Sequence, residues 1–285
     1  MDRKLGSWPG WRPPAIHGRH VGTAALLAGG ALLTTLGAEV VAAIRHRFLP
    51  SVPRLELGGT FGPEDGEPLT LAVLGDSSVA GVGADRAEDT ICYGVASQLA
   101  DRYRVTLHAL GVSGARLADV VGRQLPQLAE LNPDVVLICV GTNDITHGTP
   151  RREMRRSLRA LADGLAEVAP GAAVVVSGLP AADTAPAFAQ PLRALLGLRA
   201  ALFTRMYQRE LTHDGITVFD VAPAVRAAFK KRPEMFSPDL FHPSSRGYSY
   251  LGEVYGKVVG QAVQTVRVAA AQGGGDIGLP GEAAS

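Results

Sequence analysis

The sequence predicts an α/β protein: a three-layer α/β/α arrangement built on a five-stranded parallel sheet. Three observations carry that expectation. Five short apolar runs, at 69–74, 105–110, 135–140, 173–176 and 216–221, have the length and composition of buried strands. Longer stretches of helical character, about 92–103, 117–131, 151–168, 192–212 and 245–270, lie between and after them. Strand and helix alternate throughout, which joins parallel strands by crossover helices. Of the 285 residues, 46% are hydrophobic and 19% charged, enough apolar material for a core of this size.

The elements follow in chain order. Residues 1–20, with Arg3, Lys4, Arg12 and Arg19, form a basic tail. Residues 21–44 then run apolar for 24 positions, interrupted by Thr23, Thr34, Thr35 and Glu39. A bilayer core needs about 20 such residues, and the apolar core of a signal peptide is usually about 7–15. The run is therefore expected to be a retained transmembrane anchor. A cleaved signal peptide and a helix packed on the main domain are the alternatives. Basic residues flank both ends, and the positive-inside rule leans toward a cytoplasmic N-terminus with the main domain outside the cytoplasm. Residues 45–68, with Pro50, Pro53, Pro63 and Pro68, have the composition of a linker. The main domain is placed at 69–270. Residues 271–285, rich in Gly and Ala, read as a flexible tail.

In a doubly wound sheet the reactive crevice lies beyond the carboxyl ends of the strands, so each strand end was read for chemistry. The first strand runs into Gly75-Asp76-Ser77, where a serine can project into the crevice or merely cap the next helix. The second runs into Gly111-Val112-Ser113-Gly114, where a glycine lets a ligand approach a bare backbone N–H or simply makes a turn. The third ends in Gly141-Thr142-Asn143-Asp144, whose Asn143 side chain is a suitable donor for an oxyanion or part of a turn. Late in the chain, Asp239 precedes His242 by three positions. That spacing lets the carboxylate hold one ring nitrogen while the other takes a proton from a hydroxyl.

Taken together and in this order, the four blocks resemble those of the SGNH, or GDSL, hydrolases. The resemblance covers about residues 69–265. It implies a flavodoxin-like topology, with Ser77 as nucleophile, His242 as general base and Asp239 orienting His242. It further implies an oxyanion hole made by the N–H of Ser77, the N–H of Gly114 and the side chain of Asn143. Two departures are visible: Ser78 stands where leucine is usual, and the asparagine often found shortly before the second block's glycine is missing. Asp76 and Asp144 read as structural hydrogen-bonding residues.

The expected function is a serine hydrolase cleaving carboxylic esters through an acyl-enzyme, with no cofactor and no metal. An acyltransferase to a sugar or lipid hydroxyl and a non-catalytic membrane-tethered binding module are the alternatives. The substrate is a small acyl ester, with a lipid or a cell-envelope glycan as the larger possibilities. The helix-rich stretch 180–198 is expected to line the crevice. One decoy stands close by: Gly111-x-Ser113-x-Ala115 nearly matches the nucleophile turn of the α/β-hydrolases, but alanine replaces the last glycine. Asp76, Asp144, His147, Asp239 and His242 have no recognised metal-ligand spacing. A net charge of +1 and 6% aromatic residues argue against a nucleic-acid partner. Cys92 and Cys139 are expected as unpaired, buried thiols.

Overall fold

The computed structural model describes residues 18–45, 48, 55–211 and 215–273, with the side chains of 18–28, 44 and 273 excepted. The expected basic tail at 1–20 and the flexible tail at 271–285 therefore fall largely outside the described residues.

The expected alternation is present. Strands β2 (Glu67–Gly75), β3 (Tyr103–Ala109), β4 (Val135–Cys139), β5 (Ala173–Ser177) and β6 (Ile216–Phe219) pair in parallel. A sixth strand, β1 (Gly58–Phe61), was not expected. It lies inside the stretch read as a linker and adds antiparallel to the edge of β3. Its burial is shallow, so it has no apolar run to announce it. The order across the sheet is β1-β3-β2-β4-β5-β6. After β2 the chain goes first to one side, to β3, and then to the other, to β4. The strand ends of β2 and β4 thus flank the point where the winding reverses, which is where a crevice opens in such sheets.

The central strands are buried on both faces, and their side chains alternate between two helical layers. Val135, Leu137 and Cys139 of β4 join one core with α2 (Ile91–Leu99), α8 (Ala222–Phe229) and α9 (Ser245–Gly273). Val136 and Ile138 join the other. That second layer begins with α3 (Leu117–Asp119), which passes through a π turn and a 3-10 turn into α4 (Leu128–Leu131). It is completed by α6 (Arg151–Val168) and α7 (Leu192–Glu210), with the short α5 (Thr142–Thr146) at the end of β4. Cys92 and Cys139 are free and buried. Burial pushes the Cys92 thiol up to about 12 and Cys139 higher still.

The transmembrane anchor expected at 21–44 finds no support in the structure. Residues 21–44 do lie in one helix, α1 (Gly18–Arg45), but no helix among the described residues is long and apolar enough to cross a membrane. Over its described side chains, Gly29, Gly30, Gly37, Thr34 and Thr35 dilute the apolar face, and Glu39 places a carboxylate on it. That carboxylate has a protein partner. Glu39 Oε2 accepts the N–H of Leu192 at 2.7 Å, at the first turn of α7. The end of α1 therefore packs on the α/β domain, the alternative that the sequence had ranked below an anchor.

Candidate active site

The site begins at the carboxyl end of β2. Gly75 is the hinge of the turn that follows. Its φ is +157°, and a Cβ there would lie 2.0 Å from the Cys139 carbonyl oxygen on the neighbouring strand. Only glycine fits so close an approach. Gln124, buried in the π turn, grips the same residue twice: Gly75 N–H donates to Oε1 at 2.8 Å, and Nε2 donates to Gly75 O at 2.9 Å. The sequence reading missed Gln124. The signal was there, a lone amide on a stripe otherwise made by Val120, Leu125 and Leu128.

Asp76 then turns the chain. Its Oδ1 accepts from the backbone N–H of Ser78 at 3.0 Å and from the Ser78 hydroxyl at 2.9 Å. Asp144 plays a matching part below β4, where its Oδ2 accepts from Leu117 N–H at 2.9 Å. Burial raises both carboxyls above their ordinary range, and these hydrogen bonds partly oppose the shift.

Ser77 faces the loop between α8 and α9. The side chain of Asp239 organises that loop. Oδ1 accepts from Ser237 Oγ at 2.8 Å and from the N–H groups of Phe241 and His242, both at 2.9 Å. Leu240, between them, sits at φ +58°, a left-handed conformation that costs a leucine about 1–2 kcal/mol. The three bonds to Oδ1 hold the turn there. Oδ2 is 2.6 Å from His242 Nδ1, and His242 Nε2 is 3.0 Å from Ser77 Oγ. An ionised carboxylate only accepts, so Nδ1 carries the ring proton and Nε2 is left to accept from the serine hydroxyl. Asp239 and His242 are both buried, at 3% and 9% exposure, so water competes little with either bond.

The remaining expected residues gather at the same place. Ser77, Gly114, Asn143 and His242 border one cavity of about 360 Å³. Gly114 has φ +83°, the turn conformation that favours glycine. Asn143 Nδ2 donates to Ala115 O at 2.9 Å, which ties the ends of β3 and β4 together and leaves one amide hydrogen of the pair. Ser113, the decoy, lines this cavity too, but it is Ser77 that meets His242. His147 is held by its own helix turn, with Nδ1 3.0 Å from Asn143 O.

The stretch 180–198 contributes Phe188, Leu192 and Leu196, as expected of it. What the sequence did not foresee is a wall from outside the main domain. Val40 and Ala43 of α1, together with Phe48, complete the cavity. The only sequence cue was the apolar character of the segment, and that cue points equally to lipid.

The fold matches solved structures at low identity. An acetylxylan esterase from Geobacillus stearothermophilus, crystallised as a catalytic mutant, is 19% identical with a TM-score of 0.56; the match covers 70% of this chain and 97% of that one. Crystal structures of that esterase include catalytic mutants at a serine, at a histidine and at an aspartate three positions before the histidine. LAE5, an α/β hydrolase enzyme from the metagenome of Lake Arreo in Spain, is 21% identical with a TM-score of 0.51, over 70% of this chain and 97% of its own. No curated protein matches the sequence. The family model of the GDSL-like lipases and acylhydrolases matches residues 73–250, from β2 into α9, a range that includes Ser77, Gly114, Asn143, Asp239 and His242. The chain belongs to the GDSL-like lipase/acylhydrolase family and is an ester-hydrolysing enzyme.

Proposed function

We propose that the protein is a serine esterase in which Ser77 is the nucleophile, His242 the general base and Asp239 the residue that orients and stabilises the imidazole. The observation that carries this reading is the unbroken contact from Asp239 Oδ2 to His242 Nδ1, at 2.6 Å, and from Nε2 to Ser77 Oγ, at 3.0 Å, at the edge of an apolar cavity. The spacing of aspartate and histidine in the Geobacillus esterase supports the same assignment.

In this mechanism Ser77 Oγ attacks the acyl carbon as its proton passes to Nε2. The imidazolium so formed lies against the Asp239 carboxylate, which is held in place by its three other hydrogen bonds. The N–H groups of Ser77 and Gly114 and the Asn143 amide take the charge that develops on the carbonyl oxygen. One such donor typically contributes a factor of about 10²–10³ in kcat. His242 then protonates the leaving alcohol, whose C–O bond breaks. A water, deprotonated by the same nitrogen, releases the acid and restores Ser77.

Replacing Ser77 by Ala should abolish p-nitrophenyl ester hydrolysis with the circular dichroism spectrum unchanged, whereas Ser113→Ala should retain most of it. A dead Ser113 variant beside an active Ser77 variant would reverse the assignment.

A further inference from the structure

The cavity beside Ser77 is larger than an acetyl group needs. At about 360 Å³ it is more than twice the roughly 150 Å³ of a dry cavity that holds one benzene. Beside the polar Ser113, Thr146 and His147, its walls carry a run of apolar side chains. Phe188, Leu192 and Leu196 of the main domain line the cavity, as do Val40, Ala43 and Phe48. Three phenyl rings run in contact through this space. The Phe48 centroid lies 5.1 Å from that of Phe241 and 6.5 Å from that of Phe188, and Phe188 and Phe241 are 5.6 Å apart. Phe241 in turn packs edge-on against the His242 ring at 5.0 Å. The apolar surface therefore extends from the imidazole outward to Phe48.

The wall contributed by Val40 and Ala43 is fastened. Glu39 accepts the first N–H of α7, one residue from Val40, and α7 itself carries Leu192 and Leu196. Phe48 and Val40 nevertheless remain 38% and 43% exposed. Large apolar side chains that face a cavity and stay half open to water gain free energy when a hydrocarbon covers them.

Resting on the esterase reading above, we propose that this cavity takes the acyl chain of the ester, that the preferred chain is of medium length, and that Val40, Ala43 and Phe48 set that length. Gly114 and Asn143 border the same cavity. The carbonyl carbon held beside them carries both the acyl chain and the ester oxygen, and of the two it is the acyl chain that stays on Ser77 after the alcohol leaves. By comparison with the cavity that holds a six-carbon benzene, the space suits a chain of about six to ten carbons. A second, smaller cavity of about 110 Å³ also reaches Ser77, between Asp76, Cys139 and Tyr255, and is too small for such a chain.

The test uses the full chain and p-nitrophenyl esters from acetate to laurate, with a parallel series of acetate esters of lengthening alcohols. In the acyl series kcat/KM should rise about tenfold or more from acetate to octanoate, the discrimination that apolar pockets give for added methylenes. It should fall again at laurate. Ala43→Phe fills the wall and should lower the octanoate-to-acetate ratio by about tenfold. Phe48→Ala opens the wall and should move the optimum toward laurate. Melting curves check that both variants are folded. A flat acyl profile, or an unchanged ratio in Ala43→Phe, would overturn the proposal and leave the esterase reading standing. Length dependence confined to the alcohol series would overturn it as well, by giving the cavity to the leaving group. No turnover of any ester would remove the esterase reading and this proposal together.

Discussion

At the scale of single residues, the site shows what a short motif can and cannot reveal. Ser77, Asp239 and His242 stood out as candidates by residue type and spacing, and the structure brings them within hydrogen-bonding distance. Ser237 and Gln124 were not, since a serine or a glutamine acquires its role only from what folding places beside it. Asp76 lies between these cases: its identity was conspicuous, its burial was not. The buried carboxyl has a pKa raised above its ordinary value by desolvation. The unfolded chain therefore loses this proton first as pH rises, and the folded state holds it longer. The linked stability is full below the unfolded value, near pH 4, and is lost as pH climbs through the raised folded value. Asp76→Asn keeps an oxygen acceptor for the two Ser78 donors and removes the ionisation. Its stability relative to the parent protein should improve as pH rises above about 4, in urea unfolding, and level off once the folded carboxyl has ionised. A difference that stays constant as pH rises would show that Asp76 does not titrate differently in the folded protein.

At the scale of elements, β2 to β6 and the long helices followed from apolar runs and periodicity, because buried parallel strands have no polar alternation to obscure them. β1 escaped because an edge strand of sequence Gly-Gly-Thr-Phe gains its pairing from the Tyr103–Ala109 strand and not from its own composition. α1 was legible as a helix, but its surroundings were not. An apolar helix looks the same in sequence whether lipid or protein covers it, and the contact that ties its end to the domain, Glu39 to the N–H of Leu192, joins residues 153 positions apart. That bond satisfies a helix-terminal donor and places negative charge at the positive end of α7. By analogy with a capping side chain it should contribute about 1 kcal/mol to the docking of α1. Glu39→Ala should therefore speed tryptic cleavage after the exposed Arg45 about fivefold, whereas Glu39→Gln, which keeps an acceptor oxygen, should change it little. Equal cleavage rates in all three proteins would mean that the bond does not hold the helix.

At the scale of the whole molecule, the question is whether the N-terminal helix belongs to the enzyme or is merely attached to it. The six-stranded sheet and its two helical layers close without α1. The described side chains of α1 are mostly exposed, with Leu32 at 52% and Leu33 at 71%. Among the described residues its contribution is local, a hydrogen bond to α7 and part of the cavity lining. Removing residues 1–54 should therefore leave a cooperative thermal transition, lowered by no more than the few degrees that about 1 kcal/mol produces in a domain of this size. The consequence for catalysis should be selective. Ser77, His242 and Asp239 take their positions from β2 and from the loop between α8 and α9, so the chemical step does not depend on α1. The acyl chain loses Val40, Ala43 and Phe48, so the advantage of octanoate over acetate should shrink about tenfold. An acyl-length profile identical to that of the full chain, in a truncated protein with its melting transition intact, would return α1 to the role the sequence first suggested, a segment joined to the domain without shaping its site. Loss of the melting transition itself would instead make α1 part of the folding unit, a larger role than its few contacts imply.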